Sequence, residues 1–436
     1  MIVISPKLKF FPMKVLIIYF IFTFMIFLLS DAFQEIPNKI ILCFYVFMFY
    51  FGIYGGYWLG VKSKNNYSYL TPSSEYIHYI KIIIILGGLY YIGWGVNSII
   101  DYGATSFGNV INTLVNPGQA YQNKFDVFEN RVINNQVNSI TQILMLFSYL
   151  SSIFVILVVM YWKKISFRMK FFAIFAIFIY ILSYLYIGTQ KGLGDVLIYF
   201  IVGMLLLLFS DGVKIKKNKK ILIYSIIFIF FLFMFSYMVI AQGSRAVLFG
   251  QNSSILFNNI HEGFIAKNFG EQIAFGFYNT IGYPSHGYLG LSYNLTQDFQ
   301  FSYGAGLSSA FESYRLQYFG GEDNFLKTYP VRTELATGWP AGMYWATAFP
   351  SFASDLTFFG TIIFMFIIGF IFARTWMRAI IMKDVLAYAL LGQLFIFMFY
   401  LPANNQVLMQ RQGFLIILSI IFLAIFRELR KKKYYV

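Results

Sequence analysis

One cysteine, Cys43, in 436 residues excludes a disulfide framework and any cysteine-built metal site. Charge is scarce too: Asp, Glu, Lys and Arg make up 12% of the chain, against about a quarter in water-soluble proteins. Acidic residues are the scarcer sign, 18 against 33 basic ones. No stretch reads as HExxH, as a G-x-S-x-G elbow or as a P-loop, so the recurring spacings of zinc hydrolases, serine hydrolases and nucleotide-binding enzymes are missing. These absences predict neither a catalytic metal nor a cofactor. No repeat or low-complexity segment is evident either, whereas a transporter built from inverted repeats should show two similar halves.

What fills the chain instead is apolar. Hydrophobic residues make up 59% and aromatic residues 21%, and the mean hydropathy is +0.66. Such a composition predicts an all-α polytopic membrane protein, because helices satisfy every backbone group internally where no water is present. A span needs roughly 17 to 25 apolar residues. Ten runs reach or approach that length, near 15–30, 40–61, 82–100, 140–162, 171–187, 194–210, 221–240, 356–373, 385–401 and 413–426. The first, although preceded by Lys7, Lys9 and Lys14, reads as an uncleaved span and not as a signal peptide.

Ten spans put both termini on one side. With the N-terminus in the cytoplasm, 23 of the 33 basic residues fall inside, and only Glu75, Asp211, Asp384 and Glu428 of the acids do. The net charge of +15 is then mostly the positive-inside signal, and no nucleic-acid partner is needed to account for it. The predicted organisation is 1–240 with seven spans and an outside loop at 101–139, a large outside loop at 241–355, and 356–436 with three spans and a basic tail. The large loop is rich in Gly, Tyr, Phe, Ser and Asn. It is expected to fold as short helices on the outer leaflet, with Tyr and Trp at headgroup level.

The basic residues left outside are individually placed. Lys191 sits in the glycine-rich GTQKGLGD, Arg245 in AQGSRAVL after the seventh run, and Arg411 in NNQVLMQRQG before the tenth. Span-end cations face the plane where a lipid-linked diphosphate presents its charge, and small neighbours let backbone amides approach an anion. Snorkelling to phospholipid headgroups is the competing role for each. Arg315 and Arg332 add two loop cations, with salt bridges to Glu312 and Glu334 as their alternatives. His286, in GYPSHGYLG, is either a base or a structural loop residue.

The stretch GWPAGMYWATAFPSFASDLTFFGTIIFMFIIGFIFARTW resembles the segment that bacterial oligosaccharide repeat-unit polymerases of the O-antigen polymerase (Wzy) type carry before a late span. YIGTQKGLGDVLIYFIVG is similar to that family's Gly-x-x-basic-Gly turn, and AQGSRAVL to its post-span arginine. The motifs cover about 70 residues, the architecture nearly the whole chain. One departure is that the arginine-x10-glycine pattern of some members is not met, the nearest pair being Arg332 and Gly342.

The resemblance implies a GT-C-like bundle in the bacterial inner membrane, both termini cytoplasmic and the large loop periplasmic. It implies a metal-independent glycosyltransferase that joins undecaprenyl-diphosphate-linked oligosaccharides, as donor and acceptor, into O-antigen or capsular polysaccharide. Membrane lipids, a chain-length regulator and a flippase are the partners that follow. A diphosphate leaving group needs cations more than a proton donor, and Arg245, Lys191, Arg315, Arg332 and Arg411 are the candidates. The acceptor hydroxyl needs a base, for which Glu334, Asp355 and His286 are available. Trp339, Tyr344 and Trp345 would stack on sugar rings. An O-antigen ligase-like transferase and a lipid-linked oligosaccharide flippase or exporter remain as alternatives.

Overall fold

The computed structural model describes residues 6–63, 74–103, 107–133, 138–209, 217–249 and 254–433. Of the basic residues weighed above, Lys64, Lys214 and Lys216 lie outside them. The described residues are helical, with no strand among them. They form α1 (Pro6–Leu28), α2 (Asp31–Glu35), α3 (Lys39–Lys62), α4 (Ser74–Asp101), α5 (Phe107–Val115), α6 (Pro117–Ile133), α7 (Ser139–Leu146), α8 (Tyr149–Tyr161), α9 (Phe167–Tyr186) and α10 (Lys191–Phe209). The rest are α11 (Lys217–Phe249), α12 (Phe264–Phe269), α13 (Glu271–Gly282), α14 (Gly287–Asn294), α15 (Ser309–Phe319), α16 (Tyr329–Thr337), α17 (Phe349–Met382), α18 (Val385–Tyr400) and α19 (Arg411–Lys433).

Each of the ten apolar runs is helical, and the protein is membrane-embedded. Among the described residues eight helices are long and apolar enough to cross a membrane: α1, α3, α4, α9, α10, α11, α17 and α19. The run at 140–162 is split into α7 and α8, bent by 57°, and makes a ninth span if the pair crosses together. The run at 385–401 is α18, apolar but only 16 residues long.

Several helices run beyond the expected apolar bounds, and two of these extensions carry candidate residues. Apolar character fades after Ile240, yet α11 continues to Phe249, so Arg245 lies within a helix and inside its candidate span Phe228–Leu248. Likewise α17 begins at Phe349, before the expected span start, and is interrupted at Thr357, whose φ of 62° and ψ of 166° are non-helical. A β-branched residue at positive φ is strained, and here it separates Asp355 from the apolar helix that follows. Between Phe249 and Phe349 lie the short helices α12–α16.

Two compact units result. The first holds 1–69, 255–257 and 281–436. In it α3 and α17 pack most extensively, because glycine brings the backbones together. A Cβ on Gly56 would stand 1.8 Å from the Phe366 carbonyl oxygen, and one on Gly369 2.1 Å from that of Ile53. Apolar side chains gain little from leaving lipid for one another, so close backbone approach between small residues carries the association. At the other end of α17, Asp384 meets Arg378 at 2.5 Å and Arg427 of α19 at 2.8 Å. Burial would raise the Asp384 carboxyl, but the two guanidiniums hold it below its ordinary value.

The second unit holds 70–254 and 258–280. Here α4 packs on α9 and α8, α8 on α10, and α6 on α11. Segment 241–355 is therefore shared between the two units.

Candidate functional site

Within the second unit, three elements converge on the turn between α9 and α10. Gly188 ends α9 at φ +68°, and a Cβ there would lie 2.6 Å from the Tyr121 backbone nitrogen of α6. Only glycine fits both the left-handed conformation and that approach. The contact sets α6 against the turn, and Gly118 lets the same helix close on α11, 2.9 Å separating its would-be Cβ from the Ser244 carbonyl oxygen.

Arg245 enters from α11. Its Nη2 donates to the Gly188 carbonyl at 2.6 Å and to Gln190 Oε1 at 3.1 Å, and its guanidinium lies 3.8 Å from the Tyr121 ring centroid. The half-buried Lys124 extends from α6 with its ammonium 5.5 Å from the Tyr121 ring and 5.6 Å from that of Phe125. Burial first, and then the Arg245 guanidinium, push the Lys124 ammonium below its ordinary value. Gln190 Nε2 and Tyr237 Oη are buried and make no hydrogen bond to a described group. Tyr237 lies within electrostatic reach of Arg245. Two cations and two buried potential donors thus gather at one place, a set suited to an anion with several acceptor oxygens.

Lys191, one residue from Gln190, is the first residue of α10 and not part of a free turn. Its ammonium pairs with Asp195, one helical turn on, at 2.5 Å, which neutralises much of its charge. Arg131, another cation of this unit, pairs with Asp101 at 2.8 Å.

Arg315, Arg332 and Arg411 belong to the first unit. Arg315 forms a two-pronged pair with the buried Glu312, at 2.7 and 2.6 Å, and ties down the carbonyls of Gly320 and Glu322. Arg332 does not bridge to Glu334. It donates to the carbonyls of Lys327 (3.2 Å) and Asp298 (2.6 Å) and lies 5.1 Å from the Tyr329 ring. Arg411 lies 5.4 Å from the Tyr314 ring at the start of α19.

The three base candidates differ in availability. Asp355 is committed to the 302–307 loop, accepting from Ser302 Oγ at 2.7 Å and from the amides of Gly304 and Leu307 at 2.9 Å each. His286 is 5% exposed, accepts from the Trp345 amide at Nε2 (3.2 Å) and is stacked on the Trp345 ring at 5.3 Å. Burial pushes its imidazole down to about 4, the carbonyls of Gly282 and Tyr283 opposing. Its environment favours the neutral imidazole, packed against Trp345. Glu334 is half-buried and accepts one bond, from the Ala341 amide at 3.2 Å. Its carboxylate holds one hydrogen bond where that of Asp355 holds three.

The aromatic trio is likewise divided. Trp345 packs between His286 and Tyr283, whose ring centroid is 4.2 Å away. Trp339 and Tyr344 pair at 5.0 Å and stay half-buried at the surface. Among the described residues no three His, Cys, Asp or Glu side chains gather as a metal site would require.

Tyr121, Lys124, Gln190 and Tyr237 were not singled out by sequence reasoning. The signal available was the i, i+3 spacing of Tyr121 and Lys124 in YQNK, which puts an aromatic and a cation on one helical face. No protein-family model, curated protein or solved structure matches this chain.

Proposed function

We propose that the chain is a membrane glycosyltransferase that polymerises polyprenyl-diphosphate-linked oligosaccharide repeat units, with Arg245 and Lys124 gripping the donor diphosphate. The observation that carries this reading is the approach of Lys124 to Arg245 in a half-buried site. Bringing like charges together costs free energy that a bridging anion offsets. Gln190 and Tyr237 supply neutral donors to the same anion.

In the reaction the acceptor hydroxyl oxygen attacks the anomeric carbon, the bond from that carbon to the phosphate oxygen breaks, and the diphosphate departs with the electron pair. Cations stabilise the charge that grows on the leaving oxygen. The hydroxyl proton goes to a base, for which the first unit, taken by itself, offers Glu334, held by one hydrogen bond. Trp339 and Tyr344 suit the faces of pyranose rings. The distribution of basic residues supports a bacterial cytoplasmic membrane with both termini inside and the α12–α16 segment outside.

A second reading, a lipid-linked oligosaccharide flippase or exporter, draws on Lys191 and Asp195, an ion pair one turn inside a candidate span. The polysaccharide made by a strain deleted for this protein separates them. Acceptor carrying a single repeat unit supports the polymerase; bare acceptor overturns it in favour of the exporter or of a ligase-like transferase.

A further inference from the structure

Outside the candidate spans, the first unit exposes aromatic side chains that no described group covers. Phe301 is 47%, Tyr303 60%, Phe311 43%, Tyr318 70% and Phe319 86% exposed. Phe311, Tyr318 and Phe319 recur at i, i+7 and i+8 along α15 and so share one face. Phe301 and Tyr303 pack at 4.9 Å, and Gly304, next in the chain, abuts the Phe311 ring, so loop and helix make one patch. Ala310 and Glu312, which flank Phe311 in the chain, are 1% and 2% exposed.

The height of this patch is set by α19. Ser308 Oγ donates to the Leu408 carbonyl at 2.5 Å and Ser309 Oγ to that of Met409 at 3.0 Å. Farther along α15, the Tyr314 ring lies 6.4 Å from Phe414 and under the guanidinium of Arg411. The candidate span of α19 begins at Arg411, so α15 lies beside the first turn of a membrane-crossing helix. Farther down that helix Ile421 and Phe422, 50% and 68% exposed, face outward as lipid-contacting residues do. Two cations border the patch: Lys327, 5.0 Å from the Tyr303 ring and 3.5 Å from the Glu322 carboxylate, and Arg411.

We propose that α15 and residues 301–303 form an interfacial anchor whose aromatic face lies in the headgroup layer of the bilayer, with Lys327 and Arg411 meeting lipid phosphates. The occupant is the lipid surface itself, because the patch continues the lipid-facing flank of α19 and has the aromatic and basic composition that the headgroup layer favours. The turn after α15 fixes its presentation. Gly320 and Gly321, at φ 69° and 95°, reverse the chain, and Arg315 clamps it through the carbonyls of Gly320 and Glu322. The tryptophans of the segment take no part, so the anchor is one of Phe and Tyr.

The single cysteine permits a direct test. Spin labels at Phe311→Cys, Tyr318→Cys and Phe319→Cys, each in a Cys43→Ser background of the full chain, are read in phosphatidylcholine–phosphatidylglycerol vesicles. Their collision with oxygen is compared with that of a water-soluble nickel chelate. Lys163→Cys, exposed in the turn after α8, serves as the water reference and Phe422→Cys as the lipid reference. The anchor predicts that all three positions favour oxygen over nickel, as Phe422 does but at shallower depth. Nickel-favoured collisions matching Lys163 would overturn it. Immobilised spectra with low collision of both reagents would also overturn it, assigning the patch to a second copy or another protein. Because these side chains are exposed, the labels leave packing intact, and the Phe422 reference confirms insertion of each preparation.

Discussion

The guanidinium of Arg245 lies 3.8 Å from the ring centroid of Tyr121, two residues 124 positions apart that the Gly188 turn brings together. A cation on an aromatic face has its flat surface held while its edge makes hydrogen bonds, here to the Gly188 carbonyl and Gln190. Tyr121 therefore aims Arg245, and Lys124, one turn further along α6, shares the field.

Loss of either cation should be costly and the two losses should not add. Removing a phosphate-pairing arginine from a partly desolvated site costs on the order of 2 to 5 kcal/mol, which at about 1.4 kcal/mol per decade is tens to thousands of fold in rate. Arg245→Ala should approach that range, Arg245→Lys should retain part of the activity, and Lys124→Ala added to Arg245→Ala should cost less than it does alone. Polymer length and initial rate, at equal abundance in the membrane, provide the measurement. Full-length polymer from the alanine variant would make Arg245 a headgroup anchor.

Arg315 should behave as a structural staple and not as a phosphate ligand. Arg315→Ala strands the buried Glu312 carboxylate and frees the Gly320–Gly321 turn. In detergent, chymotrypsin should then cut after Tyr318 or Phe319 on the order of tenfold faster, as local opening becomes easier. The Arg315 hydrogen bond, against burial, holds the Glu312 carboxyl below its ordinary 4.5. The staple is thus fully present above that pH and weakens as pH falls below it.

His286 should contribute to the pH dependence of stability and not of catalysis. Its folded value of about 4 lies below the ordinary 6.5, so the unfolded chain binds the proton more readily. Stability is complete above pH 6.5 and declines by roughly 3 kcal/mol in all as pH falls to 4. Acid unfolding of the purified protein and of His286→Gln should differ across that window. A rate profile that loses an acid-side inflection near pH 4 in His286→Gln would restore the histidine as the base.

Substitution of Gly56 by alanine should wedge α3 from α17. The added Cβ meets the Phe366 carbonyl oxygen at 1.8 Å, and overpacking of this kind costs about 1 to 3 kcal/mol. A lowered thermal midpoint is expected, whereas Gly342→Ala, with nothing within 4 Å of its Cβ, should leave the midpoint unchanged.

Orientation is open to cysteine labelling. In a Cys43→Ser background an impermeant maleimide should reach Glu322→Cys in outer-membrane-permeabilised cells and should reach Lys163→Cys only after lysis. Both side chains are exposed. The reverse pattern would invert the topology and place Arg245 on the cytoplasmic side.

The sequence by itself determined the class of fold and the approximate position of every apolar helix. Hydropathy is a local average, and a backbone in lipid has only the helix, or a closed barrel, to satisfy its polar groups. It left salt bridges of Arg315 to Glu312 and of Arg332 to Glu334 as open alternatives; the first forms, since residues three apart share a helical face, and the second does not, since residues two apart do not. The tertiary structure alone decided where helices break, as at Thr357 and between α7 and α8. It alone decided that Lys191 is neutralised by Asp195 while Lys124 joins Arg245, and that His286 is sealed against Trp345. Those outcomes depend on backbones approaching from distant parts of the chain, such as Tyr121 against Gly188. The free energy of a charge depends on what that approach places beside it, and no local pattern of residues encodes it.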